Sequence, residues 1–296
     1  PNVGKSNLLE ALSLLGLNFI EANRLGFSNL VRYEKVADLF YDQNFLDDAC
    51  KVETHYIGNF ELTYSNNEFD FSLKTTPEGD FRITLSPDGK FRKGGANSTN
   101  NNVVKFYKFP EKQSFKIENN DAYLQYPYGE NLLMILQTNK AFRQEASSIF
   151  EEYGLELLLD AHANHLEIVK RREGILFKTP YSLIADTLRR YLFHLAAVES
   201  NRDSVILFEE PEAHNFPPYI VRLAHRILES KTNQFFLTTH SPFLLNTLVE
   251  EGIKEVAVFL VEYEDFQTKV KRLSEENLRD MLDYGLDIFM NQEAFV

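Results

Sequence analysis

The sequence predicts an α/β protein: a buried parallel sheet joined to a stretch of antiparallel strands. Three observations carry this. From Val205 onward, apolar strand-like runs alternate with helical segments, the pattern of right-handed βαβ units. From Lys51 to Phe109, aromatic and β-branched runs alternate with turn residues instead. A helical pattern also begins directly after Gly4-Lys5-Ser6.

In chain order, residues 5–15 place Leu8, Leu9, Leu12 and Leu15 at helical spacing, with Gly16 positioned to end the helix. Residues 52–57, 60–64, 69–73, 81–85 and 103–109 read as antiparallel strands, punctuated by Asn66-Asn67, Pro87-Asp88-Gly89 and Gly94-Gly95. The Gly/Asn/Ser-rich stretch 92–102 reads as a mobile loop. Residues 130–153 look helical, and strands follow near 155–159, 166–170 and 175–177. A helix is predicted over 183–199, with Ile184, Leu188, Leu192, Leu195 and Val198 on one face. Strands at 205–210, 234–239 and 255–261 then alternate with helices at 218–229 and 242–251.

The chain has 296 residues, with 31 Lys+Arg against 44 Asp+Glu and a formal net charge of −13. With 44% hydrophobic and 25% charged residues, the composition is that of a globular protein with one large domain or two small ones. The acidity excludes a surface that binds nucleic acid all over and leaves only a local patch for such contact. The best basic cluster is Lys170-Arg171-Arg172, read as a solvated strand end. The single cysteine, Cys50, excludes an internal disulfide and suits a reducing cytoplasm. No apolar run reaches the roughly 18–20 residues of a membrane span, and no signal peptide is visible, so a cytoplasmic location without a membrane partner is expected.

Three motifs carry chemistry. Gly4-Lys5-Ser6 matches the end of a P-loop, where backbone N–H groups and a lysine meet phosphate oxygens and a hydroxyl binds Mg²⁺ at a helix N-terminus. The first glycine of that motif and its preceding strand would fall before Pro1. The expectation is therefore a truncation at residue 1, with 296 residues a lower bound on the native length. The second motif is Val205-Ile206-Leu207-Phe208-Glu209-Glu210-Pro211-Glu212, an apolar strand running into carboxylates. Successive strand residues point to opposite sides, so Glu209 and Glu210 take different tasks: one meets Mg²⁺, the other polarises a water. The third, Phe235-Phe236-Leu237-Thr238-Thr239-His240, ends a second apolar strand in His240, within reach of a γ-phosphate. His162 and His165 hint at a metal but read more simply as a hairpin turn.

Residues 1–12 (Pro-Asn-Val-Gly-Lys-Ser-Asn-Leu-Leu-Glu-Ala-Leu), Phe208-Glu209-Glu210-Pro211-Glu212-Ala213-His214 and Thr239-His240-Ser241-Pro242 together resemble the ABC-type ATPase superfamily. The similarity is to its bacterial AAA family ATPase branch, near the RecF and OLD ATPase heads. The resemblance implies one head: a P-loop core with an inserted antiparallel β-subdomain (residues 17–128), a helical and β insertion (129–181), and a core of signature helix, Walker B strand and switch histidine (182–296). It implies that ATP and Mg²⁺ are bound, with Asn2, Gly4, Lys5, Ser6 and Asn7 at the phosphates. Ser6 and Glu209 would serve the metal, Glu210 would be the catalytic glutamate, and His240 the switch histidine. Ser182, just before the predicted 183–199 helix, is the candidate signature serine reaching the nucleotide of a second subunit, with Ala185 and Asp186 as alternatives in register. Gln113 and Gln125 are both candidates for the Q-loop.

The expected function is ATP hydrolysis coupled to head-to-tail dimerisation, as a homodimer or higher oligomer. It would drive or regulate an effector, a nuclease or toxin, in anti-phage defence or DNA maintenance. The alternative is an ATP-binding scaffold or sensor that sequesters such a partner with little turnover. A GTPase is disfavoured because Asn139-Lys140 continues into Ala141-Phe142 with no guanine-reading Asp. A transporter subunit is disfavoured by the absence of Leu-Ser-Gly-Gly-Gln, and an SMC-type cohesion protein by the shortness of the insert. An OLD-type nuclease is disfavoured because residues 241–296 carry no Asp-x-Asp constellation.

Overall fold

The computed structural model describes residues 4–23, 25–75, 79–94, 103–116, 121–160 and 163–291. Asn2, His162 and most of the 92–102 stretch lie outside these residues. The chain divides into two compact units. One comprises Lys5–Phe106 and Ser204–Leu207; the other comprises Tyr107–Asp203 and the residues from Phe208 on, with Gly4.

In the first unit, α1 (Lys5–Ser13) passes through a 3₁₀ turn at Leu14–Gly16 into α2 (Leu17–Ala22). Gly16 therefore does not stop the helical path, contrary to its sequence reading. Leu14, Leu15, Leu17, Phe19 and Ile20 are all buried, and burying them outweighs the roughly 1 kcal/mol helix penalty of one glycine. Next come β1 (Cys50–Glu53), β2 (Gly58–Ser65), β3 (Glu68–Thr75), β4 (Gly79–Leu85) and β5 (Phe91–Gly94), an antiparallel sheet in sequence order. Its core face alternates cleanly: Phe60, Leu62, Phe69, Phe71, Leu73, Phe81, Ile83 and Leu85 are buried. Phe27 and Phe40, from the irregular segment before the sheet, close that face edge-on or tilted against Phe71 and Phe69 at 5.1 and 5.9 Å. Asn66 and Asn67 both have positive φ, 51° and 62°, the conformation a two-residue hairpin demands. β5 occupies the start of the stretch read from sequence as a mobile loop.

The sequence pattern groups β6 (Val104–Tyr107) with the antiparallel strands, but it joins a different sheet, of order β11-β10-β6. All four of its residues are buried, which marks a strand covered on both faces. Buried Lys105 donates from Nζ to Ser204 Oγ at 3.1 Å.

The second unit contains α3 (Leu132–Thr138) and α4 (Lys140–Glu151), the latter capped by the Asn139 side chain, which accepts from Phe142 N–H. The strands β7 (Glu156–Asp160), β8 (His165–Arg172) and β9 (Ile175–Pro180) form an antiparallel meander. Helix α5 spans Asp186–Ser200, followed by β10 (Val205–Glu209), α6 (Pro217–Glu229), β11 (Gln234–Thr238) and α7 (Pro242–Gly252). The next strand does not extend the main sheet as expected. β12 (Phe259–Glu264) folds back on β13 (Gln267–Arg272) as an isolated antiparallel hairpin. A further helix, α8 (Glu275–Asp283), is capped by Ser274, whose hydroxyl accepts from Asn277 N–H. Leu278 and Met281 of α8 pack with Leu245 and Val249 of α7 and with Ile288.

Helix α5 is the spine of this unit, with every residue from Leu192 to Val198 buried. Asn201 donates to Tyr107 Oη at 2.8 Å, and that hydroxyl donates to Leu124 O at 2.5 Å. Burial raises its pKa above the ordinary phenol value.

Candidate functional site

The second unit brings three sequence-marked residues and one unassigned carboxylate together where β10 and β11 end. β10 is apolar and buried until Glu209, which is half-buried. Glu210 adopts φ 44°, a left-handed conformation rare outside glycine. Its N–H donates to Thr238 O at 3.1 Å and sits 3.2 Å from Thr238 Oγ1. This pairing fixes a sharp turn at the end of β10. Oε1 of Glu210 then lies 3.4 Å from His240 Nε2. Both side chains remain about half exposed, so the pair is open to an incoming substrate.

The turn continues through Ala213 N–H to Glu210 O and Asn215 N–H to Glu212 O, both 2.9 Å. It presents Glu212 to the end of β11. Oε1 of Glu212 accepts from Thr239 Oγ1 at 2.7 Å and from His240 N–H at 2.8 Å. Its other oxygen is shut from solvent without a hydrogen-bond partner. The Phe289 ring lies 6.3 Å from the His240 ring, centroid to centroid. The first turn of α5 also meets this loop, because Thr187 Oγ1 donates to His214 O at 2.9 Å.

Helix α5 begins at Asp186, later than the sequence suggested. Ser182 lies inside a separate 3₁₀ turn, Tyr181–Leu183, and Ala185 occupies the N-cap. Ser182 is thus not the cap of this helix: Ile184, which is extended, and the non-helical Ala185 separate the two segments. Asp186 is held by Arg189 at 2.8 Å and Arg190 at 2.6 Å. Arg190 in turn stacks 4.5 Å above the Phe109 ring. The two Q-loop candidates differ. Both amide atoms of the Gln113 side chain are shut from water without partners, whereas Gln125 contributes its backbone N–H to Asn131 Oδ1 at 2.7 Å.

In the first unit, Lys5, Ser6 and Asn7 open α1, whose first turn carries no acidic side chain. Gly4, just before it, has φ 92°. A side chain there would be strained, and its Cβ would collide with the Thr268 side chain. Glu10, one turn further on, is 8% exposed and paired with Arg32 Nε at 2.5 Å.

Among the described residues, no group of three or more His, Cys, Asp or Glu could hold a metal by itself. The Ser6 hydroxyl and the Glu209 carboxylate are each hard oxygen donors, the ligand type Mg²⁺ prefers when one or two protein groups share it with phosphate and water. A left-handed glycine followed by a lysine and a helix start free of carboxylates likewise fits a phosphate chain. No helix among the described residues is long and apolar enough to cross a membrane.

Comparison with known proteins bears on the fold and the family. A solved SmcHead, bound to the C-winged helix domain of ScpA, is 17% identical over 95% of this chain and 90% of its own, with a TM-score of 0.50. An SMC head domain from Thermotoga maritima is 12% identical over 84% and 86%, with a TM-score of 0.35. The fold is that of an α/β P-loop ATPase of the SMC-head kind. Residues 2–246 match the family described as "AAA domain, putative AbiEii toxin, Type IV TA system", and the chain belongs to that family. None of the curated proteins matches the chain.

Proposed function

We propose that the chain hydrolyses ATP with Mg²⁺ and that ATP binding joins two heads head-to-tail. The observation that supports this best is the Glu210–His240 pair, 3.4 Å apart at the ends of adjacent strands and half exposed. In-line attack on a γ-phosphate asks the protein mainly for positioning and charge neutralisation. In this reading Lys5 offsets phosphate charge, while Asn2, Gly4 and Asn7 line the phosphates with it. Ser6 and Glu209 would hold Mg²⁺, whose charge would offset that of the phosphates. Glu210 orients the attacking water and accepts its proton; His240 Nε2 senses the γ-phosphate. The antiparallel sheet β1–β5 and the α3–β9 segment serve as insertions in the head. Gln113 is the Q-loop residue we favour, since a buried amide without partners is costly unless a ligand or metal-bound water satisfies it.

The family's description names a toxin and a type IV toxin–antitoxin system. That supports an effector setting, with a toxin or nuclease acting in the same cell, over a purely metabolic role. One observation favours the low-turnover scaffold: Asp186 puts a carboxylate at the start of α5, where the resemblance expects a serine facing the second subunit's nucleotide. Arg189 and Arg190 neutralise it, so α5 remains usable for phosphate contact.

The test is equilibrium binding of labelled ATP, with excess GTP as competitor. The reading expects ATP-selective binding, abolished in Lys5→Ala and unaffected by GTP. Equal displacement by GTP, or full binding by Lys5→Ala, contradicts it.

A further inference from the structure

We propose that Glu212 is a positioning residue for His240, tying the turn after β10 to the end of β11 so that the imidazole faces Glu210. This rests on the hydrolytic reading above.

The turn from Glu210 to Asn215 is internally fixed. Asn215 Nδ2 donates to Pro211 O at 2.7 Å, and two further backbone bonds close it. Glu212 therefore projects from a rigid support rather than a floppy loop. A single oxygen, Oε1, takes both the Thr239 hydroxyl and the His240 N–H. Those donors flank the peptide that sets the direction in which the His240 side chain leaves the backbone. Thr239 Oγ1 is engaged again from the far side, accepting Ser241 N–H at 2.9 Å. Ser241 Oγ then accepts from Leu244 N–H at 3.4 Å and caps α7. A continuous chain of bonds thus runs from Glu212 to the start of α7, with His240 held in its middle. The Phe289 ring lies tilted beside the imidazole, 6.3 Å between centroids.

A carboxylate suits this task because charge-assisted bonds are shorter and stronger than neutral ones. Glu212 and Glu210 diverge in role because Glu210 is half exposed and meets the imidazole side chain, whereas Glu212 meets main chain and hydroxyl. Glutamine keeps an acceptor oxygen at the same reach, so Glu212→Gln should retain the clamp. Glu212→Ala removes it.

Two readouts are measured. Amide exchange is followed by mass spectrometry in a peptide covering 237–242 without nucleotide, and steady-state ATP turnover is measured on the same samples. In Glu212→Ala, exchange at Thr239–His240 should rise at least about tenfold, and kcat should fall about ten- to a hundredfold with KM for ATP within about twofold. Glu212→Gln should stay near wild type in both. Thr239→Val loses one of the two bonds to Glu212, together with the Ser241 N–H bond to the same hydroxyl, and should fall between in turnover. It carries the test if Glu212→Ala does not fold. Unchanged exchange in a folded Glu212→Ala or Thr239→Val protein overturns the proposal. So does a Glu212→Gln protein with wild-type exchange but the turnover loss of the alanine variant. If wild type turns over no ATP, the hydrolytic reading fails, yet the exchange readout still decides whether the clamp exists.

Discussion

Arg226 offers a quantitative test of how the helices around the site are held. Its guanidinium lies 2.9 Å from Glu145 on α4, 2.9 Å from Glu199 on α5 and 2.8 Å from Glu229 on α6. The Glu145, Glu199 and Arg226 side chains are 31%, 24% and 31% exposed, and Glu229 is 63% exposed. Breaking a fully buried pair costs about 3–5 kcal/mol and an exposed one about 0.2–1 kcal/mol. Two partly buried pairs near 1 kcal/mol each, plus one exposed pair near 0.4, predict a loss of about 2–3 kcal/mol for Arg226→Met. Burial, with help from Glu199 and Glu229, raises the Glu145 pKa above the ordinary carboxylate value even with Arg226 present. A raised folded-state carboxylate pKa costs stability above that pKa, and the cost is relieved as pH falls through it. Without the guanidinium this cost grows, so the destabilisation should be largest near pH 7 and shrink toward pH 5. The assay is urea unfolding followed by circular dichroism at both pH values, with the midpoint of the first transition compared. A loss below about 0.5 kcal/mol, or a loss equal at the two pH values, would refute the reasoning.

Two further outcomes are expected. His194 is fully buried, and burial lowers its pKa to about 4. An imidazole depressed in the folded state leaves stability intact above its unfolded pKa of about 6.5 and loses it as pH falls toward 4, by up to ~3 kcal/mol. Substituting His194→Gln should therefore flatten the decline in stability between pH 6.5 and 4; a decline parallel to wild type would show that His194 does not cause it. Gly4→Ala forces a side chain into φ 92° and onto Thr268. It should weaken ATP binding at least about tenfold while costing about 1–3 kcal/mol of stability, as calorimetric titration and thermal melting would show; unaltered affinity would separate Gly4 from the phosphates.

What the sequence reveals follows a physical divide. Local patterns are legible. Alternating aromatics and the Asn66-Asn67 turn announce β2 and β3, and the apolar runs ending in Glu209 and Thr238 announce β10 and β11. Nonlocal pairing is not. β6 looks like its antiparallel predecessors, and only the strand order of the folded sheet shows that it belongs beside β10. The β12–β13 hairpin is hidden because its turn, Asp265-Phe266, has positive φ at both residues without a glycine to advertise it. The α8 helix did leave a signal in Ser274-Glu-Glu-Asn followed by Leu278 and Met281, a capping pattern with apolar spacing. At the site, Glu210 and His240 stand out by motif. The grip of Glu212 on Thr239 and His240 spans 27 and 28 residues of sequence and is visible only in three dimensions. The start of α5 was obscured by Leu183 and Ile184, which continue the apolar helical spacing although the backbone there is 3₁₀ and then extended.

ATP turnover and oligomeric state of wild type and Glu210→Gln, measured side by side with Mg²⁺, test the hydrolytic role of the Glu210–His240 pair most directly. Removing a positioned base typically costs about 10²–10⁴ in rate. Glu210→Gln should therefore bind ATP as wild type does, lose turnover by at least about a hundredfold, and accumulate as an ATP-bound dimer in light scattering. Undiminished turnover in Glu210→Gln, with ATP bound, would contradict the assignment.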